Sequence, residues 1–189
     1  MSITISPVWE ITDEKLMELS ERNPGYQFEL THKGELVVTP TGAEGGRVSS
    51  EVHRQLSFWN WQIKSGIVFD SSTGFHLSDR SVLSPDASWV KKDRWDALAK
   101  EQRQGFGPFC PDAVFEILSI SQSLNELQRK MERYTANGAQ IAVLIDPFQR
   151  TVEIYRPRQK PELIINPTCV SLDPELSGFV LDLAPVFES

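Results

Sequence analysis

The sequence predicts an α/β domain, a central sheet flanked by helices, with a helix and a hairpin at its N-terminal end. Three observations carry that expectation. Two short apolar runs, Ala113–Ile120 and Ile141–Ile145, have strand length and little polar interruption, which suits strands covered on both faces. Between them Leu124, Leu127, Met131 and Tyr134 recur at helical spacing. A longer stripe, Val48, Val52, Leu56, Trp59 and Ile63, marks a second amphipathic helix. Strands alternating with helices bury their apolar faces by layering on one another.

Taken in chain order, Thr12 is placed to cap a short helix with Leu16 and Leu19 inward, ending before Pro24-Gly25. A hairpin follows, Gln27–Leu30 and Glu35–Thr39 around the turn Thr31-His32-Lys33-Gly34. Pro40 to Gly46 reads as a loop. The long helix comes next, with Gly66 as its stop. Extended stretches are expected at Ile67–Phe69, Gly74–Leu77 and Ala87–Val90, and Asp93 can cap a short helix through Trp95 and Leu98. Ser123 and Glu126 form a capping-box pattern for the helix after the first apolar run, and Asn137-Gly138 its end. Thr151–Tyr155 returns from the second run. The Pro-punctuated remainder carries one late strand, Phe179–Leu183.

The length, 189 residues, fits one domain. Its core is expected at about residues 27–156, with 157–189 as peripheral cover. Nineteen Lys and Arg against 26 Asp and Glu leave a net charge of −7, which argues against coating nucleic acid through bulk charge. No apolar run approaches the ~20 residues of a membrane span, and Met1 to Glu10 lacks the pattern of a signal peptide. Two cysteines, Cys110 and Cys169, cannot build a disulfide framework. A cytoplasmic protein without membrane contact is the expectation. No glycine-rich phosphate loop is present, and the three histidines lack metal-ligand spacing.

Three ionisable positions stand out. Asp86 follows Pro85 at the start of a strand, Glu116 lies inside the most apolar strand, and Lys130 sits on the next helix. Strand alternation points Glu116 the same way as Val114 and Leu118. A carboxylate there is costly unless it is paired, hydrogen-bonded or bound to a cation. The alternative to a functional site is that Glu116 sits at a sheet end and reaches solvent or a structural arginine. Pro85-Asp86 alone is weak, since Pro111-Asp112 repeats the pair. Lys130 falls roughly 40° from Tyr134 at the margin of the apolar stripe, where a lysine commonly lays its stem on the core and its ammonium in water.

Together these stretches resemble the PD-(D/E)xK nuclease superfamily, and within it the Uma-two-type family of bacterial restriction-endonuclease-like proteins. The resemblance rests on Phe28-Glu29-Leu30, Pro40-Thr41-Gly42, Ser84-Pro85-Asp86-Ala87, Glu116-Ile117-Leu118-Ser119, Lys130 to Tyr134 and Leu144-Ile145-Asp146-Pro147, in that order. It implies a restriction-endonuclease-like mixed sheet and Mg²⁺-dependent endodeoxyribonuclease activity, with Mn²⁺ as an alternative metal. Asp86 and Glu116 match the metal-binding acids, with the Ile117 carbonyl as a third ligand. Lys130 matches the catalytic lysine, moved to the helix from the position Leu118 holds here. Gln128 is an accessory candidate by its place on that helix. Glu51 is another, because related nucleases use an acid from the first long helix, although a salt bridge with Arg47 one turn away explains it equally.

Two carboxylates and a carbonyl are the hard oxygen ligands that Mg²⁺ prefers. A metal so held polarises phosphate and acidifies water, and a lysine orients that water or stabilises developing charge. DNA is the expected substrate, and a homodimer suits cleavage of two strands. Arg47, Arg54, Lys64, Arg129 and Arg133 are candidates for a local basic face. Two readings compete with the nuclease: a catalytically silent nuclease fold serving as a binding or regulatory module, and a different metal-assisted hydrolase.

Overall fold

The computed structural model describes residues 2–188. Its centre is a six-stranded mixed sheet. In spatial order it holds β11 (Glu162–Ile165), β10 (Thr151–Tyr155), β9 (Ile141–Asp146), β8 (Ala113–Ile117), β7 (Ala87–Lys91) and β4 (Gly66–Asp70). Only β8 and β9 run parallel, and α4 (Leu124–Ala136) provides the crossover that such a pair requires.

Alternation along β8 divides its side chains between two cores. Ala113, Phe115 and Ile117 pack with Val48, Val52, Leu56 and Trp59 of α2 (Ala43–Ile63). Val114 and Leu118 pack with Leu127, Met131 and Tyr134 of α4. The strand is thus buried on both faces, as its apolar run predicts.

A smaller five-stranded sheet joins β1 (Ile3–Ile5), β3 (Leu36–Pro40), β2 (Tyr26–Leu30), β6 (Val82–Leu83) and β5 (Phe75–His76). Its core of Phe28, Leu30, Leu36 and Val82 is closed by Leu16 of α1 (Asp13–Arg22). The predicted cap is present: Thr12 Oγ1 accepts the Lys15 N–H at 3.5 Å.

Several expectations need correction. The helix α2 starts at Ala43 inside the predicted loop, and its last turn closes on Lys64 in a left-handed conformation (φ 54°) rather than on Gly66. Gly66 opens β4 instead, where a Cβ would stand 2.3 Å from the Trp89 ring. Lys91, not Asp93, flanks the short helix α3 (Lys92–Asp96). Ser123 begins α4 without a side-chain cap. The C-terminal segment is no peripheral cover. It adds β12 (Cys169–Ser171), β13 (Val180–Asp182) and α5 (Ala184–Phe187), and sends Leu172, Leu176, Leu181 and Leu183, all fully buried, into the α2 core. The strands β1, β6, β11 and β12 are too short or too polar to show an alternating pattern. Among the described residues no helix is long and apolar enough to cross a membrane.

Candidate active site

The carboxyl end of β8 is where the fold gathers its ionisable groups. Glu116 shares the face of Val114 and looks toward α4. Ala87 stands opposite Phe115 in the antiparallel register, so one step further sets Asp86 opposite Glu116. Asp86 Oδ2 accepts the Ile117 N–H at 2.8 Å, and Ser49 of α2 donates to the Asp86 carbonyl at 3.1 Å. From the helix above, Lys130 Nζ lies 2.6 Å from Glu116 Oε1 and 2.8 Å from Glu29 Oε1. One turn later the Tyr134 hydroxyl donates to the same Glu116 oxygen at 2.9 Å.

Glu29 and Tyr134 were not among the sequence candidates for function. Glu29 comes from β2, whose alternation gives Phe28 and Leu30 to the small core and Gln27 and Glu29 to the site. These two hold the segment that leads into Asp86: Glu29 Oε1 accepts the Ser84 N–H at 2.7 Å, and Gln27 Nε2 donates to the Ser84 carbonyl at 2.6 Å. The signal for Glu29 was the one used for Glu116, an acid within a strand of buried residues. Tyr134 belongs to the apolar stripe of α4, and its ring is buried. A hydroxyl in that position needs a partner, and Glu116 is it.

The Lys130 ammonium therefore faces two carboxylates directly, with Asp86 nearby. Burial pushes Asp86 up to about 6, against the help of the Ile117 N–H and Lys130 and with Glu29 adding to the rise. Burial likewise drives Glu116 up to about 8 although Lys130 touches it, because Asp86 and Glu29 repel its charge. Burial pulls Lys130 down, but Glu116 and Glu29 outweigh that and keep it protonated. The common cause is a shortage of positive charge in a desolvated place.

A cleft of about 350 Å³ opens beside the cluster, lined among others by Asp86, Ile117, Ser119, Gln122 and the glycines at the start of α2. Glu116, 2% exposed, lies behind this wall. No three His, Cys, Asp or Glu side chains among the described residues form a ready metal cage. The donor set still fits Mg²⁺, which is commonly held by one or two carboxylates and keeps several waters. Asp86 and Glu116 are such a pair, and their raised affinity for protons is the property a divalent cation would relieve.

The remaining sequence candidates point elsewhere. Gln128 donates to Glu153 of β10 at 2.8 Å. Glu51 accepts from Arg54 and Gln55 and is not part of the cleft wall. The five basic residues do not converge, since α2 and α4 cover opposite faces of the sheet. Three of them are tied to acids, Arg47 to Glu44, Arg54 to Glu51 and Arg133 to Asp79.

A central mixed sheet flanked by helices places the protein in the restriction-endonuclease-like class of α/β folds. The chain belongs to the Uma2 family, described as "Putative restriction endonuclease", whose profile matches residues 13–184. It is similar to a crystal structure of "a putative nuclease belonging to DUF820" from Anabaena variabilis, with a TM-score of 0.75 and 22% sequence identity. That similarity covers 94% of this chain and 97% of the other and concerns the fold. No curated protein matches the chain.

Proposed function

We propose that this protein is a divalent-metal-dependent nuclease that hydrolyses phosphodiester bonds in DNA. The observation that carries the reading is the charge-deficient cluster: Glu116 and Glu29 share the ammonium of Lys130, with Asp86 close by, beside an open cleft. Family membership supports the same reaction class.

Asp86 and Glu116, with the Ile117 carbonyl, would hold Mg²⁺ or Mn²⁺, which supplies charge relief at the phosphate and a more acidic attacking water. The protein's own groups do the rest. The Ile117 N–H fixes Asp86, and Tyr134 and Lys130 fix Glu116, so neither acid must reorganise when a phosphate arrives. Lys130 keeps its proton at Nζ, held by two carboxylates, and presents fixed positive charge to the reacting phosphate oxygens. The cleft bordering Asp86 places the scissile group at the edge of the cluster. A homodimer belongs to this reading, since cutting both strands takes two such sites.

The test is calorimetric titration of Mg²⁺ and Mn²⁺ into wild type and Glu116→Ala, followed by supercoiled-plasmid nicking by both. Metal binding and nicking that disappear together in the variant are expected. An absence of metal binding at millimolar concentration would overturn the proposal. One feature favours a second reading, a silent nuclease fold used for binding or regulation: the 2.6 Å ion pair already gives Glu116 a cation. On that reading wild type binds DNA without nicking it in either metal.

A further inference from the structure

A second cleft, of about 530 Å³, adjoins the first. Pro40, Thr41, Gly42, Gly45, Ile117 and Ser119 line both, so the two share a wall. The second is predominantly apolar, with Leu118, Ile120, Pro147, Phe148, Val186 and Phe187 in its lining. Two of these are unusually open to solvent: Ile120 is 94% exposed and Phe148 57%. They sit just beyond the carboxyl ends of β8 and β9, the parallel pair.

Their exposure is built rather than accidental. Asp146 Oδ1 accepts the N–H groups of Phe148 and Gln149 at 2.8 and 3.0 Å, fixing the turn that presents Phe148. Gln122 Oε1 accepts from both the N–H and the hydroxyl of Ser119, at 3.2 and 2.9 Å, fixing the turn that presents Ile120. The Phe187 ring, part of the cleft lining, has the Arg150 guanidinium 5.2 Å from its centre.

We infer that this second cleft receives an unpaired nucleobase of a strand whose phosphate lies at the first cleft. The preferred substrate is then single-stranded or locally unpaired DNA. The inference rests on the nuclease reading and adds to it what the strand presents. A duplex keeps its bases stacked, and inserting one here means unpairing and unstacking it first. Duplex-binding proteins offset such costs with a basic surface. This chain carries −7 and has Arg47, Arg54 and Arg133 tied to acids. Where few free cations face the strand, stacking of bases on aromatic and apolar side chains is the remaining source of affinity, and it works for any sequence.

The test compares binding of fluorescently labelled oligothymidylate and of a blunt duplex of equal length, in Ca²⁺, by wild type, Phe148→Ala, Ile120→Ser and Phe148→Tyr. Oligothymidylate should bind at least tenfold tighter than the duplex. Phe148→Ala should weaken its binding by about tenfold, within what one stacked base contributes, and Phe148→Tyr should retain it. Melting temperatures should not move, because both side chains are exposed. Equal affinity for duplex, or variants that bind like wild type, would overturn the inference. So would variants that change the sedimentation coefficient instead, which would make the cleft a contact between copies of this chain. Plasmid nicking separates the two claims. Nicking with unaffected oligothymidylate binding in the variants leaves the nuclease and removes the base site. Variant-sensitive binding without nicking in any metal keeps the base site and removes the nuclease.

Discussion

The same dipeptide, Pro-Asp, stands at both ends of the β7–β8 pair, and the two aspartates have opposite fates. Asp112 is buried, yet Arg94 reaches its Oδ1 at 2.8 Å and the Lys91 N–H its Oδ2 at 2.8 Å. Its own carbonyl takes the N–H groups of Gln140 and Ile141. Asp86, at the other end, has one N–H, a nearby ammonium that pairs with other acids and two neighbouring carboxylates, and burial raises it to about 6. One end of the sheet is electrostatically finished, and the other is left short of a cation. The two aspartates share a motif and differ in the charge that surrounds them.

The largest effect expected from this contrast is on activity. Asp86→Asn should lower nicking by at least a hundredfold while leaving the melting temperature unchanged or higher, because it removes a carboxylate that burial disfavours. Asp112→Asn should do the reverse. It forfeits charge-assisted hydrogen bonds worth about 2 kcal/mol, seen as a lower urea midpoint, and leaves nicking intact. Matching losses of activity in the two variants would erase the distinction.

Next in size is Lys130→Met, which strands Glu29 and Glu116 without their cation. Removing one partner of a buried pair costs about 3–5 kcal/mol. Here Mn²⁺ should restore part of that stability in a thermal melt, whereas it should not rescue Asp112→Asn.

The pH dependence has a defined sign. In the unfolded chain Asp and Glu ionise near pH 4, while folded Asp86 and Glu116 hold their protons to about 6 and about 8. Between those limits the unfolded state releases protons first. Stability without metal should therefore be greatest near pH 4, as far as these two groups govern it, and should fall until about pH 8. Urea titrations across that range should show a shallower fall in Asp86→Asn and in wild type with Mg²⁺. Stability rising with pH over the window would contradict the account of the cluster.

The smallest effects belong to residues that point away from both ends. Gln128→Ala and Glu51→Ala should each change the nicking rate less than about twofold, since surface substitutions away from such features act weakly. A tenfold loss in either would return that residue to the site.

Much of this was legible because burial and periodicity act locally. The apolar run around Glu116 shows a carboxylate in the wrong surroundings, and the helical stripe of α4 puts Lys130 at its margin, where it is 12% exposed. Two things could not be seen in that way. Glu29 reaches Lys130 across more than a hundred residues of sequence, through the meeting of two sheets that no local pattern announces. The late leucines, Leu172 and Leu176, lie among prolines and polar residues, and only docking against α2 makes them core. Conversely, the spacing of Ser123 and Glu126 satisfied a capping rule that the backbone did not use.

The seam between the two sheets also sets an order of events. Glu29 belongs to one sheet and Glu116 to the other, Asp86 sits in the bend just before β7, and Lys130 lies on a helix made after all three. A ribosome therefore delivers the three acids before the lysine that pairs two of them. A chain cut short before α4 would hold the three carboxylates without the ammonium that pairs two of them.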